Sequence, residues 1–184
     1  MLNTLPHPKP KPTKGIKIPH LKKSVAVLSK KKKKSSGGIK ITNPDKWFSL
    51  CVRERADWTC QRCGRKFPEE YSIDGLPKAQ GLDCSHFIGR GNWSVRHDPL
   101  DADAHCRGCH GYFEANPHLF TEWKKERLGS LYEILIEKSN NVMLGKQARK
   151  EKNEIAEHYK AEFFRMRELR NKGVIGRINF QGYF

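Results

Sequence analysis

The fold of this chain is decided by two C-x-x-C motifs, Cys60-Gln61-Arg62-Cys63 and Cys106-Arg107-Gly108-Cys109. Each motif presents two sulfur atoms from one tight backbone turn, and two such turns complete the four-thiolate tetrahedron that structural Zn²⁺ takes. In a reducing compartment this spacing favours a metal over a disulfide. Two unrelated cysteine pairs, or a labile disulfide, are the alternative. Because four sulfurs leave no open ligand position, we expect a structural zinc.

The segment between the two motifs, residues 64–105, is longer than the simplest zinc-ribbon spacing allows. We interpret the excess as an inserted functional segment. Cys51 and Cys84 lie outside the motifs, and we predict that both are small buried side chains and not ligands.

The insert and the residue after the second motif carry acid–base and metal-binding side chains. Asp83 and His86 fall in a predicted strand over 81–88, Asp101 follows in a loop, and His110 opens a short predicted helix. Side chains of these types can supply a base for a water molecule and ligands for a divalent cation. A histidine with an ordinary pKa near ~6.5 accepts a proton at neutral pH. The alternative for His86, taken by itself, is an ordinary half-buried histidine.

The remaining segments are predicted mainly from capping and periodicity. Asp45 is predicted to cap a helix that runs to about Arg55, and Phe67–Gln80 is predicted to be a loop. Helices are also expected from Thr121 to Gly129, from Ser130, and over 146–171, where apolar residues recur every three or four positions. His97 and His105 are predicted to be surface or loop residues.

The positive charge is concentrated at the N-terminus. Of the net charge of +16, residues 1–44 supply twelve lysines with no acidic residue, which leaves about +4 for the rest of the chain. This proline-rich segment is predicted to be disordered. It is either a plain solvated tail, a localisation or packaging signal, or an arm that binds DNA phosphates. The arm's densest block is Lys30, Lys31, Lys32, Lys33 and Lys34.

No membrane or secretory segment is evident. No apolar run approaches the ~20 residues of a membrane helix, and the run 24–28 is too short for a signal peptide and is soon followed by lysines. We therefore expect a soluble protein that is not secreted and has no membrane partner. Its positive charge favours an acidic partner, of which nucleic acid is the commonest.

The pattern resembles that of the HNH, or ββα-metal, endonuclease superfamily. In that pattern a histidine ends the first strand, an Asn lies five residues before the second C-x-x-C, and a histidine follows it directly. These positions here hold His86, Asp101 and His110. The resemblance implies that His86 is the general base, that His110 holds a Mg²⁺ or Mn²⁺ ion or the scissile phosphate, and that Asp101 orients His86 or binds the metal.

Besides Asp101 in place of Asn, this chain departs from the superfamily pattern at one more position. Many HNH enzymes use an Asp directly before the base as a metal ligand, and that position is Ser85 here. Asp83, two residues earlier on the same face of a regular strand, is the candidate substitute.

Within the superfamily, residues 45–172 most resemble the NinG/Rap recombination nucleases of lambdoid phages. These share a basic N-terminal arm, a short helix, the paired C-x-x-C motifs and a helical tail. The resemblance implies a phage protein in the bacterial cytoplasm that cuts branched DNA such as Holliday junctions, where two cuts favour a homodimer. Arginines in or beside the loop are expected to contact phosphates, namely Arg90, Arg96 and Arg107. Trp93 either stacks on a base or covers the core.

We therefore predict an α+β protein in three parts. These are a disordered basic arm over 1–44, a zinc-clamped HNH core with a leading helix over 45–129, and a helical extension with a short tail over 130–184. The functional alternatives are an HNH nicking, homing or packaging nuclease, and a nonenzymatic zinc-stabilised nucleic-acid-binding protein. Ser85 and Asp101 are the residues that favour the last.

Overall fold

The computed structural model describes an α+β architecture. Its described residues are 38–68, 70–73, 75–79 and 81–184. They form a two-stranded antiparallel sheet and six helices, in the order α1 Asn43–Arg55, β1 Leu82–His86, β2 Ala102–Cys106, α2 Arg107–Ala115, α3 Pro117–Leu128, α4 Leu131–Asn140, α5 Val142–Lys150 and α6 Lys152–Asn171. Most of the predicted basic arm, including its lysine block, lies outside the described residues, so the arm stays a prediction.

Helix α1 begins earlier than the sequence pattern indicated. Its N-cap is Thr42, and Asp45 is the third helical residue, so the prediction that Asp45 caps the helix was wrong. The Asp45 carboxylate accepts hydrogen bonds of 2.6 Å from both the backbone N–H and the hydroxyl of Thr42. From the third helical position, the Asp45 side chain therefore satisfies the N–H of the N-cap residue, as in a capping box. Asp45 is also buried, which leaves its carboxylate available for contacts inside the protein.

Strands β1 and β2 form a hairpin that runs directly into α2. His86 pairs with Ala102, and Asp83 pairs with His105. A returning strand therefore leads directly into the second cysteine motif. Because Cys106 is both the last residue of β2 and the N-cap of α2, the second C-x-x-C motif lies at the junction of strand and helix.

The core lies between α1, the hairpin and α6. Phe48 of α1 is buried with its ring 5.1 Å from that of Tyr159 on α6 and 6.0 Å from that of Phe180 in the C-terminal segment.

The single long helix predicted over 146–171 is two helices that break at Glu151, and α3 starts at Pro117, not at Thr121. Among the described residues, no helix has the length and apolar character needed to cross a membrane.

A buried carboxylate ties α1 to α6. Glu54 is fully buried and pairs with Arg167 at 3.3 Å and with Arg170 at 3.1 Å, both on α6. It also accepts a hydrogen bond of 3.1 Å from the indole of Trp58, just before the first cysteine motif. A buried charge persists only when it is paired and hydrogen-bonded. Glu54 therefore sets the position of the chain as it enters the cysteine turn.

We predict that Phe48→Ala lowers the free energy of unfolding by about 3–5 kcal/mol, the usual cost of emptying a large aromatic site. Phe164→Ala is the matched control, since Phe164 is 51 % exposed against 1 % for Phe48, and we expect it to cost less than about 1 kcal/mol. Chemical denaturation of both variants measures the difference. Equal losses would contradict this description of the core.

Candidate metal sites and histidine cleft

The four cysteines of the two motifs lie together. Their sulfur atoms are all within 4.8 Å of one another, and among the described residues this is the one group of three or more potential ligands that meets. The sulfurs of Cys63 and Cys106 are 3.9 Å apart, and none of the six cysteines forms a disulfide. Zn–S bonds of about 2.3 Å in a tetrahedron separate sulfurs by about 3.8 Å. The cluster is therefore compatible with a metal such as zinc.

Local backbone geometry shapes the first cysteine turn. Gly64 has φ of +73°, a left-handed conformation that glycine adopts without strain. The Gly64 N–H donates to the Cys60 carbonyl at 2.9 Å, and the Cys60 N–H donates to Arg65 at 2.8 Å. These bonds turn the backbone tightly enough to present both sulfurs on one side.

Gln61 docks this turn on β2. Its N–H donates to the Ala104 carbonyl at 2.8 Å, and its side-chain oxygen accepts from the Ala104 N–H at 2.8 Å. Ala104 is two residues before Cys106. This two-point attachment therefore brings the first sulfur pair to the second, although the pairs are far apart in sequence.

Arg62 contacts the cysteine cluster, a role that the sequence analysis did not predict. Its guanidinium donates to the Cys109 sulfur at 3.6 Å and stacks 3.9 Å from the ring centroid of Tyr112 on α2. A positive charge next to thiolates offsets part of their mutual repulsion. Its position between the two cysteines of the first motif was the available signal.

The candidate catalytic residues meet in a cleft beside this cluster. A cavity of about 370 Å³ lies between α1 and β1, and an adjoining one of about 360 Å³ lies against α2 and α3. His86 and His110 line both. We call the region the histidine cleft, formed by Asp83, His86, Arg90, His110 and Glu114.

One ring nitrogen of His86 forms a hydrogen bond to a backbone carbonyl. Its Nε2 lies 3.1 Å from the Arg96 carbonyl oxygen, and its ring is 6.0 Å from that of Phe48. A carbonyl only accepts, so Nε2 carries the proton and Nδ1 is the basic nitrogen. Nδ1 has no hydrogen-bond partner within the described part of the chain. Burial lowers the pKa of His86 to about 4, so the ring is neutral at physiological pH.

Asp83 and His110 form the second half of the cleft. His110 Nδ1 is 3.3 Å from the Asp83 carboxylate, and its Nε2 is 3.5 Å from Glu114, one helical turn further along α2. Asp83 and His110 are each about one-third exposed, so both remain accessible. The structure thus brings together Asp83, His86 and His110 from the predicted site.

Asp101 does not join them. Its side chain is fully buried, and its Oδ1 accepts from the Ile88 N–H at 2.8 Å, two residues after His86. The resemblance implied that Asp101 orients His86 or binds the metal; in the structure its carboxylate holds the backbone two residues after His86 and does not line the cleft. Ser85 is also fully buried, and its hydroxyl has no partner among the described residues.

The three predicted phosphate-binding arginines have different surroundings. Arg90 lines the cleft, and Arg107 is exposed beside it, lining a shallow depression with Asp83. Arg96 is 2 % exposed and forms an ion pair of 2.7 Å with Asp45, so it is not placed to meet a phosphate. Lys30 to Lys34 lie outside the described residues.

Two histidines predicted at the surface are buried instead. His97 bonds Asp45 at 3.0 Å, and His105 packs among the aromatic rings of α2 and α3. Trp93 is half-buried, with its ring centroid 4.5 Å from the Arg96 guanidinium and 6.0 Å from the His97 ring. It therefore covers the core, which was one of its two predicted roles.

Sequence reasoning missed a basic edge of the cleft on α1. Lys46 and Arg53 line the 370 Å³ cavity together with Arg90. Arg53 is held by bonds to the Leu82 carbonyl at 2.7 Å and to Ser49 at 3.1 Å. Positions 46, 49 and 53 are spaced three and four residues apart, which puts them on one helical face and was the available signal.

We predict that Asp101→Asn stabilises the protein at pH 8 and has little effect near pH 4. Burial raises the pKa of Asp101 from 3.8 to about 7, so the unfolded chain releases this proton at lower pH than the folded one. The free energy of unfolding therefore falls as the pH rises between these two pKa values. The loss is at most about 1.4 kcal/mol for each unit by which they differ. Asn keeps the oxygen that accepts from Ile88. Thermal unfolding against pH tests this, with the exposed Glu133→Gln as control; a gain independent of pH would refute it.

We predict that Cys63→Ser lowers bound metal from about one ion per chain towards none and destabilises the fold, because structural metal binding is coupled to folding. Cys84→Ser, outside the cluster, should retain the metal. Elemental analysis and melting curves provide the readout. A chelated protein with verified metal loss and an unchanged melting profile would contradict this description of the cluster.

The comparisons with known proteins identify no relative. The chain matches no protein-family model, and neither the curated proteins nor the solved structures contain a significant match to it. Functional conclusions therefore depend on the site itself.

Proposed function

We propose that this protein is a metal-dependent DNA endonuclease of the HNH type. The observation that carries the proposal is the meeting of Asp83, His86 and His110 in one cleft, on a hairpin and helix anchored by a four-cysteine cluster. The net charge of +16 and the cations at the cleft edge suit a polyanionic substrate.

In this proposal the four cysteines hold a structural Zn²⁺. The four sulfurs fill a tetrahedral shell, which leaves no position for water or substrate. The zinc would join the first cysteine turn to β2 and α2. It would thereby hold His110, which directly follows Cys109, in a constant position.

Asp83 and His110 fit a catalytic Mg²⁺ or Mn²⁺. Their facing atoms are 3.3 Å apart, close to the about 3 Å that separates adjacent ligands of an octahedral ion with 2.1 Å bonds. Mg²⁺ is usually held by one or two carboxylates together with water and phosphate oxygens, so two protein ligands suffice. Such an ion would stabilise the charge that develops on the phosphate and the leaving oxygen.

His86 would act as the general base. Its Nε2 is occupied by the Arg96 carbonyl, so Nδ1 takes a proton from the attacking water. The neutral ring is the form required for this step. Arg90 would bind a non-bridging phosphate oxygen, because its planar guanidinium matches phosphate geometry.

The substrate proposed within this class is branched recombination DNA, such as a Holliday junction in phage recombination. The support is the resemblance of residues 45–172 to the NinG/Rap nucleases. A nicking, homing or packaging enzyme uses the same cleft on a different DNA. A junction-resolving enzyme would act as a homodimer, because resolution needs two cuts.

A nonenzymatic nucleic-acid-binding protein is the second candidate. One observation favours it: Ser85 and Asp101, at two positions of the superfamily pattern, are both sealed from the cleft. That leaves Asp83 and His110 as the protein ligands for a catalytic ion, with Glu114 nearby at 71 % exposure.

We predict that His86→Ala abolishes cleavage, by at least about 100-fold as expected for a general base, while DNA binding remains. The assay compares labelled four-way junction, flap and linear duplex DNA with Mg²⁺, with Mn²⁺ and without added cation. His118→Ala, an exposed histidine outside the cleft, is the control and should cut normally.

The outcomes separate the candidates. Preference for the four-way junction supports the recombination nuclease, and equal cutting of linear DNA favours another HNH nuclease. Binding without cutting under every cation condition would replace the enzyme with the nonenzymatic binding protein.

A further inference from the structure

A second cavity is separate from the histidine cleft. It has a volume of about 470 Å³ and shares no lining residue with the cleft. The ends of α1 and α3, the strand β2 and the C-terminal segment surround it. The residues that bear on its chemistry are Arg55, Asp103, Arg127, Leu131, Arg177 and Phe180.

Positive charge dominates this cavity. Three guanidinium groups line it, those of Arg55, Arg127 and Arg177, against the single carboxylate of Asp103. Asp103 is already shared, because it bonds Lys124 at 2.5 Å and Arg127 at 2.9 Å and lies 3.6 Å from Arg55. The charge of one carboxylate is therefore shared among three cations. Arg177 has no carboxylate partner among the described residues.

Arg55 retains an unused donor. Its side chain is 4 % exposed, and its two terminal nitrogens donate to the carbonyls of Pro99 at 2.7 Å and Ala102 at 2.5 Å. Its Nε is buried and has no acceptor within the described residues. A buried N–H without an acceptor is unfavourable and rare in folded proteins. Arg55 also lines the cavity, so this unpartnered group lies beside it.

The cations also act on one another. The pKa of Arg177 is lowered by partial loss of hydration beside the cavity wall and by the nearby charge of Arg127. The pKa of Arg55 is lowered to about 10 mainly by burial, with both other guanidinium groups adding to the shift. Loss of hydration and neighbouring like charge both disfavour the charged form of an arginine, and Asp103 opposes part of the effect.

The other walls are apolar. Leu100, Leu128, Leu131 and Phe180 line the cavity, and the Arg55 guanidinium lies 5.3 Å from the centroid of the Phe180 ring. The volume is within the range of sites for small organic ligands, about 300–1,000 Å³. Convergent guanidinium groups beside an apolar wall suit a phosphate joined to a flat organic body.

We propose that this cavity is a second anion site that binds the phosphate of a nucleotide, supplied either free or as part of a nucleic-acid strand. Arg127 and Arg177 contact the phosphate oxygens, and the base and sugar pack on Leu131 and Phe180. The site does not depend on the proposed nuclease activity, because it uses none of the cleft residues.

The test is a titration of the full-length protein followed by the NMR signal of Arg55 Nε–H, without added divalent cation so that no cleavage occurs. The probes are inorganic phosphate, thymidine, thymidine 5′-monophosphate and a short 5′-phosphorylated oligothymidine. We expect the Arg55 signal to shift with the two nucleotide phosphates at lower concentration than with inorganic phosphate, and not with thymidine.

Arg177→Gln should weaken nucleotide binding about tenfold or more, the usual cost of a lost charge-assisted hydrogen bond. Arg177 is exposed, so this variant keeps the buried network of Asp103. Arg149→Gln removes the same charge from an exposed site outside the cavity and should change binding less than about twofold. His86→Ala should bind like the unaltered protein, so loss of nuclease activity and loss of this site are distinguishable.

The source of the phosphate follows from the ranking of the probes. Tighter binding of the oligonucleotide supports contact with a strand, and tighter binding of the monophosphate supports a free nucleotide. An unmoved Arg55 signal, an equal shift with thymidine, or equal effects of Arg177→Gln and Arg149→Gln would overturn the proposal.

Discussion

The attachment of the first cysteine turn to β2 is the constraint on which the rest of the structure depends. Two hydrogen bonds between Gln61 and Ala104 hold it, and they bring together sulfur pairs that are distant in sequence. Since β2 continues directly into α2, the same attachment sets the start of the helix that carries His110. The scaffold and the candidate chemistry are therefore joined through a few residues, and a metal held by the four sulfurs would tighten the same junction.

Buried charges organise the rest of the molecule. Asp45 pairs with Arg96 and bonds His97, and Glu54 and Asp103 are each surrounded by two or more cations; these clusters link α1 to the loop after β1, to α6 and to α3. Charged groups lose hydration free energy when an ion pair is buried. Such clusters therefore determine which groups contact one another more than they raise the free energy of unfolding. Asp45 shows the consequence for the cleft, because its pairing with Arg96 holds the segment whose carbonyl binds His86.

Patterns of local residues predicted the α+β class, the cysteine cluster, the strand that carries His86 and the helix that follows Cys106. What these patterns did not predict concerns residues whose surroundings are supplied by distant segments. Asp45 is a residue type typical of the N-cap position, but in the structure it is buried and bonds Arg96 and His97. Asp101 matches a position of the HNH pattern by spacing, but the fold turns its carboxylate towards the Ile88 amide and away from the cleft. Spacing along the chain carries no information about such distant partners.

The sequence by itself determined the ligand chemistry, because two C-x-x-C turns can present four sulfurs only if the chain folds back between them. It also determined the basic character of the protein and the presence of histidine and aspartate within the insert. Only the tertiary structure decided which of these side chains meet in one cleft, and it chose Asp83 and His110 over Asp101. The same holds for the cavity of Arg55, Arg127 and Arg177, whose members come from three separate segments. Contacts between distant segments depend on burial and on the pairing of charges across the whole fold, which no local pattern encodes.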